Sequence, residues 1–134
     1  MRLGILNGGG DAPALNAVLR AAVRIAVNHY GFKIIGFRNG FKGVIENDYV
    51  PLTDQSVSGI LPRGGTILGT TNRDNPFNYH GRDVSDQVVA NLKGLGLDVL
   101  LVVGGDGTLG IGIDLMERYG IPIIGIPKNI DNDL

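Results

Sequence analysis

The stretch DVLLVVGGDGTLG (Asp98–Gly110) decides the fold class of this 134-residue chain. Its first part, through Val103, is apolar on both faces, which is typical of a central strand in a parallel sheet. Glycines then interrupt the apolar run, and Ile111, Leu115 and Met116 recur at helical spacing. The stretch therefore predicts a buried parallel strand, a glycine loop and a helix in direct succession.

The rest of the chain repeats this alternation. The pattern predicts turns for most of the segment between Arg38 and Gly65, with a short helix at Ser56–Leu61. Further helices are predicted over about residues 14–28 and 84–95, and further strands at Arg2–Leu6, Lys33–Phe37, Gly65–Thr70 and Ile121–Ile126. Strands alternating with helices imply parallel crossovers. We therefore expect residues 1–134 to form one α/β domain, a three-layer α/β/α sandwich with a mainly parallel sheet.

The first helix has one apolar stripe and one basic side. The stripe consists of Ala17, Val18, Ala21, Ala22 and Ile25. Arg20 and Arg24 are four residues apart, on the side away from this stripe. Such a pair is either an exposed face or an anion-binding pair.

Composition excludes several classes of protein. The chain has 22 glycines, no cysteine and a net charge of −1. The missing cysteines exclude disulfides and thiolate metal sites, and no basic block is long enough to follow a nucleic-acid backbone. The longest aliphatic run, Val99–Val103, is far shorter than the roughly 20 residues of a membrane span. We expect a soluble cytoplasmic domain with no nucleic-acid or membrane partner.

Three loops rich in glycine or aspartate follow predicted strands. They are NGGGDAP (Asn7–Pro13), GGDGTLG (Gly104–Gly110) and PKNIDND (Pro127–Asp133). In open α/β sheets, ligands bind at the carboxyl ends of the strands, and glycines let phosphate approach backbone N–H groups. The loops contain neither a P-loop nor a dinucleotide fingerprint. They predict a phosphate site of another kind; the alternative for NGGGDAP is a glycine turn that packs the strand against the helix.

The acidic and basic residues of these loops suit phosphoryl transfer. Asp106 can cap a helix, hold Mg²⁺ on the phosphates, or do both. Asp131 and Asp133 are two residues apart, so one can accept the proton of an attacking hydroxyl while the other organises metal or water. Lys128 can neutralise charge on the transferred group, and Arg73 is a candidate phosphate clamp. The alternative for NIDND (Asn129–Asp133) is a capping turn.

The motifs together resemble the phosphofructokinase family. The resemblance rests on GGDGT, PKNIDND, NGGGDAPALN and RGGTILGT, and it covers all 134 residues in the family's order and spacing. GGDGT alone also occurs in NAD kinases and diacylglycerol kinases, so IDND (Ile130–Asp133) is the more specific motif. The resemblance implies a 6-phosphofructokinase of glycolysis, which transfers the γ-phosphoryl of ATP, with Mg²⁺, to the 1-hydroxyl of fructose 6-phosphate.

The resemblance also implies roles for individual residues. Asp131 is similar to the catalytic base, Asp133 to its supporting neighbour and Asp106 to the magnesium-linked carboxylate. The implied donor contacts are Gly10, Arg73, Asp74, Gly105, Asp106, Gly107 and Thr108. The implied contacts to the sugar phosphate are Asn129, Ile130 and Asp131.

The resemblance also bears on which phosphoryl donor is used and on how long the whole protein is. Pyrophosphate-using relatives generally carry a bulky acid at the position of Gly107 and a lysine at that of Lys128. Gly107 favours ATP, Lys128 keeps pyrophosphate as an alternative, and a non-catalytic nucleotide-binding or assembly module is a third possibility. We expect residues 1–134 to be the donor-binding part of a longer homo-oligomer, dimeric or tetrameric, ending inside the catalytic motif. Without its second, substrate-binding domain, this part is expected to be inactive.

Overall fold

The computed structural model describes residues 1–8, 12–53 and 74–127, with the backbone alone for residues 12–16. The strands are β1 (Arg2–Gly8), β2 (Lys33–Phe37), β3 (Tyr49–Leu52), β4 (Val99–Gly104) and β5 (Ile123–Pro127). The α-helices are α1 (Ala12–Arg24), α2 (Phe41–Glu46), α3 (Ser85–Gly94) and α4 (Asp106–Tyr119). A π-helical turn, Ile25–His29, continues α1.

The described strands form one mainly parallel sheet in the order β3-β2-β1-β4-β5. β1 pairs in parallel with both β2 and β4, and β4 pairs in parallel with β5. Only the β2–β3 pair is antiparallel among these strands. The predicted sheet type is therefore confirmed.

Helices cover both faces of the sheet. From β1 the chain moves through α1 to β2, whereas from β4 it moves through α4 to β5 on the opposite side. Because parallel crossovers are right-handed, these opposite directions place α1 and α4 on opposite faces. The fold is the predicted three-layer sandwich.

A separate hydrophobic cluster lies on each face. On the α1 side, Leu19 and Val23 pack with strand residues that include Ile5, Ile34 and Val103. The other cluster combines residues of α2, α3 and α4 with strand residues; it includes Leu6, Phe37, Val44, Val88, Val102 and Leu115. Neighbouring strand residues such as Ile5 and Leu6 belong to different clusters because successive side chains point to opposite faces.

Two sequence predictions need correction. The segment predicted as turns contains both α2 and β3, two short elements whose pairing and packing partners are distant in sequence. In α1, the larger residues Leu19 and Val23 face the sheet, because their burial removes more apolar surface from water than burial of alanine does. Three members of the predicted stripe are consequently exposed: Ala17, Ala21 and Ile25. Arg20, predicted to lie on an exposed or anion-binding side, is half-buried, and Arg24 is exposed.

The short helix predicted at Ser56–Leu61 and the strand predicted at Gly65–Thr70 lie outside the described residues. None of the helices in the described part of the chain combines the length and apolar character needed to cross a membrane.

Candidate functional site

The candidate site lies where the chain changes direction across the sheet. Gly8 and Gly104 are register partners at the carboxyl ends of β1 and β4, and Gly104 is also the register partner of Pro127 at the end of β5. The chain leaves β1 toward one edge of the sheet and leaves β4 toward the other. Such a switch point opens a crevice for ligands in α/β sheets.

Gly8 and Gly104 leave no room for side chains at this point. A Cβ built on Gly8 lies 2.7 Å from Cβ of Thr108. A Cβ built on Gly104 lies 2.8 Å from the carbonyl oxygen of Gly8 and 2.9 Å from the same Thr108 Cβ. The two glycines are therefore needed for the close approach of α4 to the strand ends.

The first turn of α4 points free N–H groups toward this crevice. Gly105 is the N-cap residue, and its carbonyl accepts the first helical bond from Leu109 N–H at 2.9 Å. The N–H groups of Asp106, Gly107 and Thr108 precede that bond, so they have no acceptor within the helix. Together with the helix dipole, such groups bind anions.

Residues 1–8, 12–53 and 74–127 leave the space above this turn open. A Cβ added to Gly105 or to Gly107 meets no heavy atom of these residues within 4 Å. This contrasts with the crowded glycines at the strand ends. The beginning of α4 is therefore closely packed against the strand ends at Gly8 and Gly104 and accessible at Gly105 and Gly107.

Asp106 lies at the accessible side and does not cap α4. It is exposed and occupies the first helical position, since Gly105 is the N-cap. The capping alternative for Asp106 is therefore wrong. Among residues 1–8, 12–53 and 74–127, no group of three or more potential metal-ligating side chains is assembled. A single accessible carboxylate fits Mg²⁺ that takes its other ligands from phosphate oxygens and water.

Thr108 faces the protein. Its side chain is only 9% exposed, and Oγ1 donates to the carbonyl oxygen of Gly8 at 3.4 Å, which is long for a hydroxyl donor. Its backbone N–H still belongs to the anion-binding turn. The expected donor contact of Thr108 is thus available through the backbone, while the side chain packs under the loop.

Asp74 interacts with a different group of residues. The hydroxyl of Tyr79 donates to Oε2 of Glu46 at 3.1 Å. Burial raises the pKa of Tyr79 above its ordinary value of 10.0, and the hydrogen bond to Glu46 and the charges of Glu46 and Asp74 raise it further. Asp74 therefore lies where its charge acts on the Tyr79 hydroxyl, whereas Thr108 contacts Gly8.

Most other predicted site residues lie outside the described residues. These are Gly10, Arg73, Lys128, Asn129, Ile130, Asp131 and Asp133. The described chain nevertheless fixes where two of their loops begin, because residues 9–11 follow Gly8 and residues 128–134 follow Pro127. Both loops start beside Gly104, from which the GGDGT loop continues.

Sequence reasoning missed the contact of Gly8 with Thr108. The available signal was a pair of glycines at equivalent ends of two predicted strands. It also missed the fully buried Asn7 immediately before Gly8, for which an asparagine at the end of an apolar run was the available signal.

A model of the family described as phosphofructokinase matches residues 2–134. The chain belongs to the phosphofructokinase family. Its family relatives include the Streptomyces coelicolor pyrophosphate–fructose 6-phosphate 1-phosphotransferase, at 50% identity over 100% of this chain and 38% of that protein. They also include ATP-dependent 6-phosphofructokinase 2 of Clostridium perfringens, at 51% identity over 99% of this chain and 38% of that protein. The chain thus spans about two fifths of the length of these relatives.

Solved phosphofructokinase structures have the same fold. Pichia pastoris phosphofructokinase in the T-state matches with a TM-score of 0.84 and 30% identity, over 98% of this chain and 15% of that one. The pyrophosphate-dependent phosphofructokinase of Nitrosospira multiformis matches with a TM-score of 0.81 at 20% identity, over 99% of this chain and 35% of that one. The second likeness concerns the fold alone.

Proposed function

We propose that the full-length protein is an ATP-dependent 6-phosphofructokinase, for which residues 1–134 supply the phosphate-donor site. The observation that carries this proposal is the open first turn of α4 beside the strand ends. The N–H groups of this turn have no acceptor within the helix, and no heavy atom of the described residues comes within 4 Å of a Cβ added to Gly105 or Gly107. The acceptor is fructose 6-phosphate and the product is fructose 1,6-bisphosphate.

ATP is favoured as donor by Gly107. Because a Cβ at this position meets no heavy atom of the described residues within 4 Å, this part of the turn leaves room for the α-phosphate of a nucleotide. Relatives named for ATP and for pyrophosphate have nearly equal identity, 51% and 50%, so overall similarity does not choose between them. Lys128 supports pyrophosphate as the second candidate donor.

In the proposed mechanism, the N–H groups of the α4 turn bind the donor phosphates, with Gly10 and Arg73 as further contacts. Asp106 would hold Mg²⁺, which neutralises charge on the phosphates when bound. Asp131 accepts the proton of the 1-hydroxyl as that oxygen attacks the γ-phosphorus and ADP leaves. Asp133 supports this carboxylate and Lys128 stabilises charge on the transferred group.

The sugar phosphate requires more than this chain supplies. Asn129, Ile130 and Asp131 are proposed to contact it, while a further domain contributes most of the site. The chain spans only 38% of its relatives' length, which supports this division. Residues 1–134 alone are therefore expected to show no detectable kinase activity, bind nucleotide weakly and self-associate. Activity assays and solution mass of the isolated segment check this expectation.

The decisive experiment is an assay of the full-length protein with fructose 6-phosphate and either ATP or pyrophosphate, each with Mg²⁺. Product formation with a higher kcat/KM for ATP is the expected result. A preference for pyrophosphate would establish the second candidate. No turnover with either donor would contradict both and favour a non-catalytic nucleotide-binding module.

A further inference from the structure

We propose that Thr108 is a positioning residue for the phosphate donor and acts through its buried side chain. In this proposal the side chain fixes the start of α4 against the ends of β1 and β4. The donor-binding N–H groups are then held at a set distance from the end of β1 at Gly8. The inference rests on the proposed function, because it concerns the same phosphate site.

The contact that carries the inference is steric. Cβ of Thr108 lies within 3 Å of the Cβ positions built on both Gly8 and Gly104, at 2.7 and 2.9 Å. Both glycines are strand-end register partners, so one threonine touches two neighbouring strands. Movement of this side chain must therefore move α4 relative to both strands.

The hydroxyl of Thr108 points into the same packed region. It donates to the Gly8 carbonyl at 3.4 Å, and the side chain is 9% exposed. The open space lies instead above Gly105 and Gly107, where an added Cβ meets no heavy atom of the described part of the chain within 4 Å. A ligand phosphate in that space contacts the backbone N–H of Thr108 and not its hydroxyl.

The shape of Thr108 therefore contributes more to donor binding than its hydroxyl does. Valine keeps two γ substituents, serine keeps the hydroxyl without the methyl group, and alanine keeps neither. If the Thr108 side chain supports donor binding through packing, the valine variant retains more donor affinity than the alanine variant. If the hydroxyl contacts phosphate, valine and alanine lose equal affinity and serine loses none.

The test compares Thr108→Val, Thr108→Ser and Thr108→Ala in the full-length protein, with exposed Thr53→Ala as the matched control. Donor KM, kcat and the KM for fructose 6-phosphate are measured with the thermal midpoint of each variant. We expect Thr108→Ala to raise donor KM about 3- to 10-fold, the scale of a small packing loss. Thr108→Val is expected to raise it less, and the KM for fructose 6-phosphate to change least.

Two results would overturn the inference. Equal donor KM increases in the valine and alanine variants, with serine at the parental value, would assign a direct hydroxyl contact. A lowered thermal midpoint in all three variants with parental donor KM would mean that Thr108 stabilises the fold only.

A double-mutant cycle provides an independent measurement. Gly8→Ala places a Cβ against Thr108, so its effect on donor affinity should be smaller in a Thr108→Ala background. Additive effects would contradict the proposed coupling. Calorimetric dissociation constants for Mg·ATP and for Mg·pyrophosphate are measured on the same proteins, so the inference is tested even where turnover is absent. A parental protein that binds neither donor would overturn the inference together with the donor site.

Discussion

The hydroxyl of Tyr119 lies 2.6 Å from Oγ of Ser85, which joins the end of α4 to the beginning of α3. Oγ of Ser85 donates its single proton to Oδ1 of Asp83 at 2.6 Å, so the Tyr119 hydroxyl is the donor to Ser85, and Oδ1 of Asp86, 2.8 Å away, is its alternative acceptor. Ser85 is fully buried and Tyr119 is half-buried, so the contact between the two hydroxyls is partly shielded from water. Residues 34 apart in sequence thereby fix two helices on one face of the sheet.

Tyr119→Phe is expected to lower the free energy of unfolding by about 1 kcal/mol, the usual net value of an intramolecular hydrogen bond. Urea denaturation of the full-length protein measures the change. Tyr30→Phe is the matched control, because Tyr30 is 63% exposed and its ring stacking on Phe32 survives the substitution. Equal loss in both variants would show that the Tyr119 hydroxyl has no special structural role.

Stability should also depend on pH through Asp83. The hydroxyl of Ser85, followed by its N–H and the Arg118 guanidinium, lowers the pKa of Asp83 below its ordinary value of 3.8. A carboxyl group whose pKa is lowered in the folded state stabilises the fold above the unfolded value and stops doing so as pH falls through the folded value. Asp83→Asn should therefore flatten the decline of the urea midpoint below about pH 4.

The control for this pH profile is Asp114→Asn, which removes an exposed negative charge from the helix that carries Arg118. Profiles are measured from about pH 3 to pH 6, on either side of the ordinary aspartate pKa. A profile for Asp83→Asn that parallels the parental one would contradict the contribution assigned to this carboxylate.

Gly107→Asp tests the donor assignment. The parental turn is open above Gly107, and an aspartate adds volume and negative charge where the nucleotide phosphate is proposed to bind. We expect kcat/KM for ATP to fall much more than kcat/KM for pyrophosphate. Gly107→Ala adds only a Cβ, which meets no heavy atom within 4 Å among the described residues, so its loss with ATP should be smaller. Equal losses with the two donors for Gly107→Asp would reject the steric explanation.

Asp131→Asn tests the proposed base. The substitution is nearly isosteric, and turnover of the full-length protein should fall by about 10² to 10⁴, the usual contribution of a positioned base. Donor dissociation constants and the thermal midpoint should change little. Near-parental turnover would identify Asp131 as a turn residue. Asp133→Asn, measured in parallel, should lower turnover less because its proposed role is supportive.

The sequence by itself determined the alternation of strands and helices and the sheet class. In DVLLVVGGDGTLG the apolar run, the glycines and the helical spacing are local features. They predicted β4 and α4 because hydrophobic periodicity and glycine punctuation act within a few residues. The same local signals identified the three phosphate-loop candidates and, through their combination, the family resemblance.

Only the tertiary structure decided which glycines meet, which side of α1 is buried and where β3 pairs. The contact of Thr108 with Gly8 spans 100 residues, and the antiparallel pairing of β3 exists only against β2. The sequence pattern predicted that the alanine-rich stripe of α1 faces the sheet. In the structure Leu19 and Val23 pack against the sheet instead, because they bury more apolar surface. These outcomes depend on side chains that become neighbours only after the strands assemble, which is why no local pattern contained them.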